Sequence, residues 1–363
     1  MTLILITLVV SSGLSAGAVA LVLKLSHKKE WYDHINDRKI HTDNIPRLGG
    51  LGFAGAFLVV LAAVGIRYGS IGTDVFRYIP CFAAMVITLF SGAYDDFRPM
   101  APRYKFLLQV IATLCVIIPG FTFDKLFHTG NGFLNTLPYL TYPVTFLWIV
   151  GITNAFNLID GVDGLAGGIS ALIAFFFGLI FFSYAGWNAK SVIFCACLVG
   201  VLIGFLIFNL PLPKAKLFMG DCGSQFLGIT LALIPLMKTS SPNSPSALPV
   251  IYAAAVFAIP IFDTVAAVWR RLRDRKKIYD PDRSHLHHKL INLGFGSRGV
   301  IAILYSLQIV IGTLTFIAVR LEGIASVCFL GAAYFVALAF FSTVHFVNRA
   351  ATLRKAEVEE NPS

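Results

Sequence analysis

Charge is what this sequence has least of. Asp, Glu, Lys and Arg make up 13% of its 363 residues, while 57% are apolar, and the mean hydropathy is +0.77. A water-soluble chain of this length carries about a quarter charged residues, so a soluble globular fold is excluded and lipid must cover the surface. A cysteine framework is also missing. The six Cys stand at 81, 115, 195, 197, 222 and 328, without disulfide or zinc spacing, and all but Cys222 lie in apolar runs as small hydrophobes. No basic segment precedes the first apolar run, which is therefore expected to be a retained helix rather than a cleaved signal. What is abundant is phenylalanine, 32 residues, suited to a lipid-facing shell. The net charge of +10 raises nucleic acid as a partner. In so apolar a chain, loop bias and anionic substrates account for it better, and no nucleic acid is expected.

Crossing about 30 Å of hydrocarbon takes roughly 17–25 helical residues. Runs near 3–23, 49–66, 78–94, 105–120, 142–157, 164–184, 191–210, 224–238, 247–269, 299–319 and 323–345 predict an all-α, polytopic bundle of about 11 transmembrane helices. Alternate loops then hold 23 of the 29 Lys and Arg. By the positive-inside rule those loops are cytoplasmic, placing the N-terminus outside and the C-terminus inside. Residues 1–349 are expected to form one transmembrane domain with cytoplasmic loops at 24–48, 94–105, 154–165, 211–224 and 270–298. Residues 121–141 suggest an interfacial hairpin, and 350–363 a frayed cytoplasmic tail.

Each polar cluster falls at a cytoplasmic helix end. Pro46-Arg47-Leu-Gly-Gly joins a cation to glycines that permit close backbone approach, as phosphate requires; a basic loop that only fixes topology is the plainer reading. Asp95 and Asp96 end the third run. Adjacent carboxylates at a membrane boundary repel unless a cation or proton is shared. Lys105 and Gln109 follow, four apart and so on one helical face. Asn154, Asn157, Asp160 and Asp163 recur every three residues, which on a helix aligns four oxygen-bearing side chains and suits a hard cation such as Mg²⁺. The missing terminal Glu argues against a calcium loop. Asp221, framed by Gly220 and Gly223, can cap a helix or hold metal, and Ser224 can donate to phosphate. Phe218 is a lipid-facing ring or a stacking platform. In the basic loop 270–298, Arg283, His285, His287 and His288 lack zinc partners and suit a diphosphate. Asp263 lies upstream within an apolar run, placed either to neutralise a cation or to face the site.

Asp95-Asp96, the Asn154–Asp163 run, Phe218-Met-Gly-Asp221 and His285-Leu-His-His288 occur in the order seen in polyprenyl-phosphate N-acetylhexosamine-1-phosphate transferases. The chain resembles that family from about residue 36 to 300. The His-x-His-His form resembles the branch using UDP-N-acetylglucosamine, whereas muramoyl-pentapeptide transferases carry three consecutive His. The resemblance implies transfer of a sugar phosphate from a UDP-N-acetylhexosamine to undecaprenyl phosphate in a bacterial inner membrane, with a cytoplasmic site dependent on Mg²⁺ or Mn²⁺. It implies Asn157 and Asp221 as metal ligands and Asp95 and Asp96 as catalytic. Asp160 and Asp163 become catalytic or nucleotide-sugar contacts, Phe218 a uracil neighbour, and His285, His287 and His288 diphosphate contacts. Arg47, Lys105, Ser224 and Arg283 join as substrate-binding residues. The connection from Asn209 to Asp221 departs from the pattern in length, leaving the role of Asn209 open. Direct attack by the lipid phosphate and a two-step route through an aspartyl-phosphate both fit the residues. A transporter would need ionisable residues at mid-membrane, and a CDP-alcohol enzyme would need an Arg that Asp163-Gly-Leu-Ala-Gly lacks. A homodimer stays open as a further expectation.

Overall fold

The computed structural model describes residues 1–32, 45–68, 73–123, 140–186, 190–210, 212, 214–237, 248–277, 282 and 284–360. Most of them are helical, with no strand among them. The chain divides into two compact units, Met1–Ala253 and Ala254–Ser363.

The first unit holds α1 (Thr2–Lys29), α2 (Gly49–Tyr68), α3 (Thr73–Phe97), α4 (Pro102–Ile117), α5 (Thr141–Ile159), α6 (Leu165–Ala185), α7 (Lys190–Asn209) and α8 (Gly220–Leu233). Around α1 the pattern is a stripe of small polar residues. Thr7, Ser11, Ser15, Val19 and Ser26 are its buried positions, and four-residue spacing puts the first four on one face. Small residues let backbones approach closely in lipid, where no hydrophobic drive separates helix from tail. Ser15 Oγ accordingly donates to Val201 O on α7 at 2.6 Å.

Helix α8 is the core of this unit. Every residue in it except Asp221 is buried, and it packs against α2, α3, α5 and α6. Its 14 residues rise only about 21 Å. It is continued by a 3-10 turn, Ile234–Leu236. Where α3 crosses its start, a Cβ at Gly92 would lie 2.5 Å from Asp221 O, so only glycine permits this approach. From α5, Trp148 Nε1 donates to Ala232 O at 3.0 Å.

The second unit contains α10 (Ala258–Arg273), α11 (Leu286–Asn292), α12 (Ser297–Arg320) and α13 (Gly323–Glu360). The short α9 (Val250–Val256) precedes α10, with an 89° bend between them.

Among the described residues eight helices are long and apolar enough to cross a membrane, and the count rises to nine where the bent α9–α10 pair is taken as one span. The expected spans at 105–120 and 224–238 are helices of 16 and 14 residues, α4 and α8. The apolar run at 224–238 is explained by burial among neighbouring helices rather than by lipid. Two other expectations change. Asn154 and Asn157 share a face of α5, but the helix stops at Ile159, so Asp160 and Asp163 stand in the turn to α6 and do not extend that face. Gly164, at φ 82°, closes the turn in a conformation that glycine adopts without strain. The expected fraying from residue 350 is replaced by helix over the described part of the tail: α13 runs to Glu360, over a stretch rich in Ala, Arg, Lys and Glu, all good helix formers. Most of the hairpin expected at 121–141 lies outside the described residues. Of its start, Phe123 is buried against Trp148.

Candidate active site

Adjacent residues on a helix point about 100° apart, so the two carboxylates ending α3 reach different partners. Asp95 pairs with Lys105 Nζ from α4 and accepts the N–H of Met100 at 2.6 Å. Asp96 turns to the start of α8, where Oδ1 accepts the N–H of Asp221 at 2.8 Å and Oδ2 that of Cys222 at 2.9 Å. Lys105 also reaches Asp221 Oδ2 at 2.8 Å, so one ammonium joins two carboxylates from different helices.

The other oxygen of Asp221 accepts from Asn157 Nδ2 at 3.0 Å, and the same amide donates to Ser224 Oγ at 2.9 Å. Beneath this layer Gln109 and Asn154 pair reciprocally at 2.8 and 3.4 Å. The four-residue step from Lys105 to Gln109 therefore works as the sequence predicts: one face of α4 delivers a charge to the site and an amide to α5. Burial alone would push the Asp221 carboxyl up, but its contact with Asp95 and the Lys105 ammonium hold it well below the usual carboxylate range. Asp160 goes the other way. Burial, then the nearby carboxylates of Asp221 and Asp163, push it up to about 8 against the opposing charge of Arg47.

Backbone contacts place the remaining members. Phe218 donates its N–H to Pro46 O at 2.8 Å and accepts from Gly49 at 2.9 Å, and Gly50 N–H reaches Met219 O at 2.8 Å. The Arg47 segment and the Phe218 segment are thereby clasped together. Phe218 itself is half-buried. Gly220 turns between that clasp and α8 at φ 73°, and a Cβ there would lie 2.1 Å from Arg47 O. The role left open for Asn209 is a strut. Its Oδ1 accepts from Gly164 N at 2.8 Å and its Nδ2 donates to Leu217 O at 2.9 Å, fixing the Asp160–Asp163 turn against the segment leading to Asp221.

The first unit thus gathers Arg47, Asp95, Asp96, Lys105, Asn157, Asp160, Asp163, Asp221 and Ser224. Five of these are carboxylates and two are cations. Among the described residues no group of three or more His, Cys, Asp or Glu forms a ready metal cluster. The donors present around Asp221 are nonetheless oxygen-rich and in anionic excess, the chemistry that suits a hard divalent cation.

The predicted histidines lie in the second unit. His285 Nδ1 pairs with Asp263 Oδ2 at 2.9 Å, and Asp263 Oδ1 accepts the Leu286 N–H at 2.8 Å. His287 stacks parallel to His285, centroids 5.9 Å apart, and lies 4.3 Å from the ring of His288. It is buried, and neither of its ring nitrogens is hydrogen-bonded among the described residues. Burial first, then His288, depress its pKa to about 3, so it is neutral at pH 7 and supplies no cation. Arg270 grips Asp282 Oδ2 at 2.6 and 3.1 Å, and Asp282 Oδ1 caps the loop through Ser284 N–H. Arg283 is outside the described residues. The sequence flagged Asp263 without fixing its partner. The available signal was a lone carboxylate in an apolar run, which needs a buried counterpart.

Residues 78–239 match the family model described as glycosyl transferase family 4. A probable undecaprenyl-phosphate N-acetylglucosaminyl 1-phosphate transferase of Bacillus subtilis (strain 168) is 32% identical over 291 residues, covering 78% of this chain and 76% of that protein. Undecaprenyl-phosphate alpha-N-acetylglucosaminyl 1-phosphate transferases of Yersinia pestis and Escherichia coli (strain K12) are 31% and 30% identical, each alignment covering 76% of this chain and 73% of the relative. With identity at this level across three quarters of each chain, and with Asp95, Asp96, Asn157 and Asp221 inside the matched segment, the chain belongs to glycosyl transferase family 4.

Proposed function

We propose that this protein transfers N-acetylglucosamine 1-phosphate from UDP-N-acetylglucosamine to undecaprenyl phosphate, releasing UMP and forming the first lipid-linked intermediate of a cell-envelope glycan. The observation that carries the reading is the Lys105 ammonium held between Asp95 and Asp221. Three helices converge there on a charge-rich site, as a reaction between two anions needs.

An oxygen of the lipid phosphate attacks the β-phosphorus of the nucleotide sugar. The new P–O bond forms as the bond to UMP breaks, and UMP leaves with the electron pair. Asp95 accepts the proton of the lipid phosphate. Lys105 and Arg47 offset the repulsion between the two substrates. Asp221 and Asn157 are the residues to hold Mg²⁺, or Mn²⁺ in its place, which when bound neutralises the diphosphate and the departing phosphate. Ser224, at the start of α8, serves as a phosphate donor, and the half-buried ring of Phe218 as the neighbour of the uracil. The bias of Lys and Arg to alternate loops supports a cytoplasmic site with the N-terminus outside. The histidines of the second unit enter through the family resemblance, as diphosphate contacts.

The test is to incubate purified protein, Mg²⁺ and undecaprenyl phosphate with a panel of UDP-sugars and measure UMP. Release with UDP-N-acetylglucosamine above the others is expected. Preference for another UDP-N-acetyl sugar would change the donor, and silence with every donor would sink the transferase reading. A phosphoryl-enzyme trapped with UDP-sugar in the absence of lipid would replace direct attack by the two-step route.

A further inference from the structure

We infer that Asp96 is a positioning residue that fixes Asp221, leaving proton acceptance to Asp95; this rests on the proposed metal-binding role of Asp221. The first N–H groups of a helix have no intrahelical partner, and the residue preceding α8, Met219, provides no side-chain cap. Asp96 supplies the cap from another helix, one oxygen for each of two successive N–H groups, at 2.8 and 2.9 Å. The exchange suits both ends. A carboxylate is unfavourable at the negative C-terminal end of α3 and favourable at the positive N-terminal end of α8.

Holding those two peptide groups fixes the root of the Asp221 side chain, whose oxygens then meet Lys105 and Asn157. The room left around Asp96 is small, since a Cβ at Gly220 would come within 2.7 Å of its Oδ2. Asp95, one residue away, makes no such contact with α8 backbone among the described bonds; it faces Lys105.

The experiment is Mn²⁺ binding to the full chain in detergent, read by electron paramagnetic resonance without substrates, beside the Mg²⁺ dependence of UMP release. Outer partners that orient a ligand commonly change metal affinity about 10–100-fold. Asp96→Asn is expected to weaken Mn²⁺ binding roughly tenfold or more and to raise the Mg²⁺ needed for half-maximal rate by a similar factor. At saturating Mg²⁺ its kcat should return to within about tenfold of wild type. Asp95→Asn is expected to lose about 100-fold or more in kcat at every Mg²⁺ concentration, as removal of a general base does. Wild-type Mn²⁺ affinity in Asp96→Asn, with kcat lost at all Mg²⁺ concentrations, would overturn the inference alone. A wild-type protein that binds no Mn²⁺ would overturn the metal reading and this inference together. Should Asp96→Asn not be recovered folded, Asp96→Ser is smaller and keeps an acceptor for at most one of the two N–H groups. Weaker Mn²⁺ binding is expected there too, and unchanged binding would overturn the inference.

Discussion

The two units solve the same problem, ionisable groups in an apolar chain, in opposite ways. In the second unit the pairs close on themselves. Asp263 meets His285 and a backbone N–H, Asp282 meets Arg270 and another, and each of these two carboxylates has its own counterpart. In the first unit one lysine serves two carboxylates from α3 and α8, while Asp160, Asp163 and Asp96 crowd the same region. Desolvation is tolerated where charges are matched and costly where they are not. Among the described residues carboxylates outnumber cations around Asp221, and such an excess is a place prepared for a cation and for chemistry. A matched pair is first of all structure.

The largest expected effect falls on the unmatched side. Asp221→Asn should reduce UMP release by roughly 1,000-fold, and Lys105→Met by about 100-fold, the scale of losing a preorganised electrostatic group, with membrane insertion and helix content unchanged. Near-normal turnover in Asp221→Asn would remove both the metal role and the contrast between the units.

The second test breaks a matched pair. Asp263→Asn leaves His285 buried without its carboxylate and should lower stability by about 3 kcal/mol, the usual cost of removing one partner of a buried pair, seen as a lower thermal midpoint in detergent. Replacing both, Asp263→Leu with His285→Phe, should recover part of that stability, because a well-packed apolar pair often does as well as a buried polar one, less the cost of the Leu286 N–H left without its acceptor. Failure of the double variant to recover would show that the pair does more than hold the fold.

How much of this was legible beforehand follows from where the information sits. Apolar runs and glycines are local, so the helices are legible, as is the use of one α4 face by Lys105 and Gln109. Burial by neighbours is not local. The run at 224–238 reads as a span by hydropathy, yet α8 is short and enclosed by other helices. Periodicity of three is likewise ambiguous: Asn154 to Asp163 keeps helical spacing, but the glycines at 161 and 164 let the chain leave the helix after Ile159. The Asp95-Asp96 doublet marks the site without separating its two members, because the partners of Asp96 on α8 are remote in sequence. Asn209 is the clearest miss. An Asn at a helix end gives no hint of a strut between two distant segments.

A third test uses pH on the unmatched side. Asp160 titrates near 8 in the folded chain against an ordinary 3.8, so between those values the folded form holds a proton that the unfolded form releases. Its contribution to stability is full below the ordinary value and is lost as pH rises through about 8. Without divalent cation, the thermal midpoint should fall between pH 6.5 and 9, and Asp160→Asn should flatten that slope. A slope unchanged in the variant would place the titration elsewhere.

The smallest effect belongs to His287, and its sign is opposite. Its folded pKa of about 3 lies below the ordinary 6.5, so as pH falls the unfolded chain takes up a proton that the native ring refuses. The stability that this neutral ring contributes is present above 6.5 and declines as pH drops from there toward 3. In wild type the thermal midpoint should therefore decrease from pH 7 to pH 5, and His287→Phe, which keeps an aromatic ring without a titrating nitrogen, should lose part of that decrease. Asp263 and His285 stay in place in this variant, so the change reports the buried ring rather than the hydrogen-bonded pair beside it. If His287→Phe keeps the whole acid slope, the ring is already hydrated or charged in the native protein. The second unit would then share the charge imbalance that distinguishes the first.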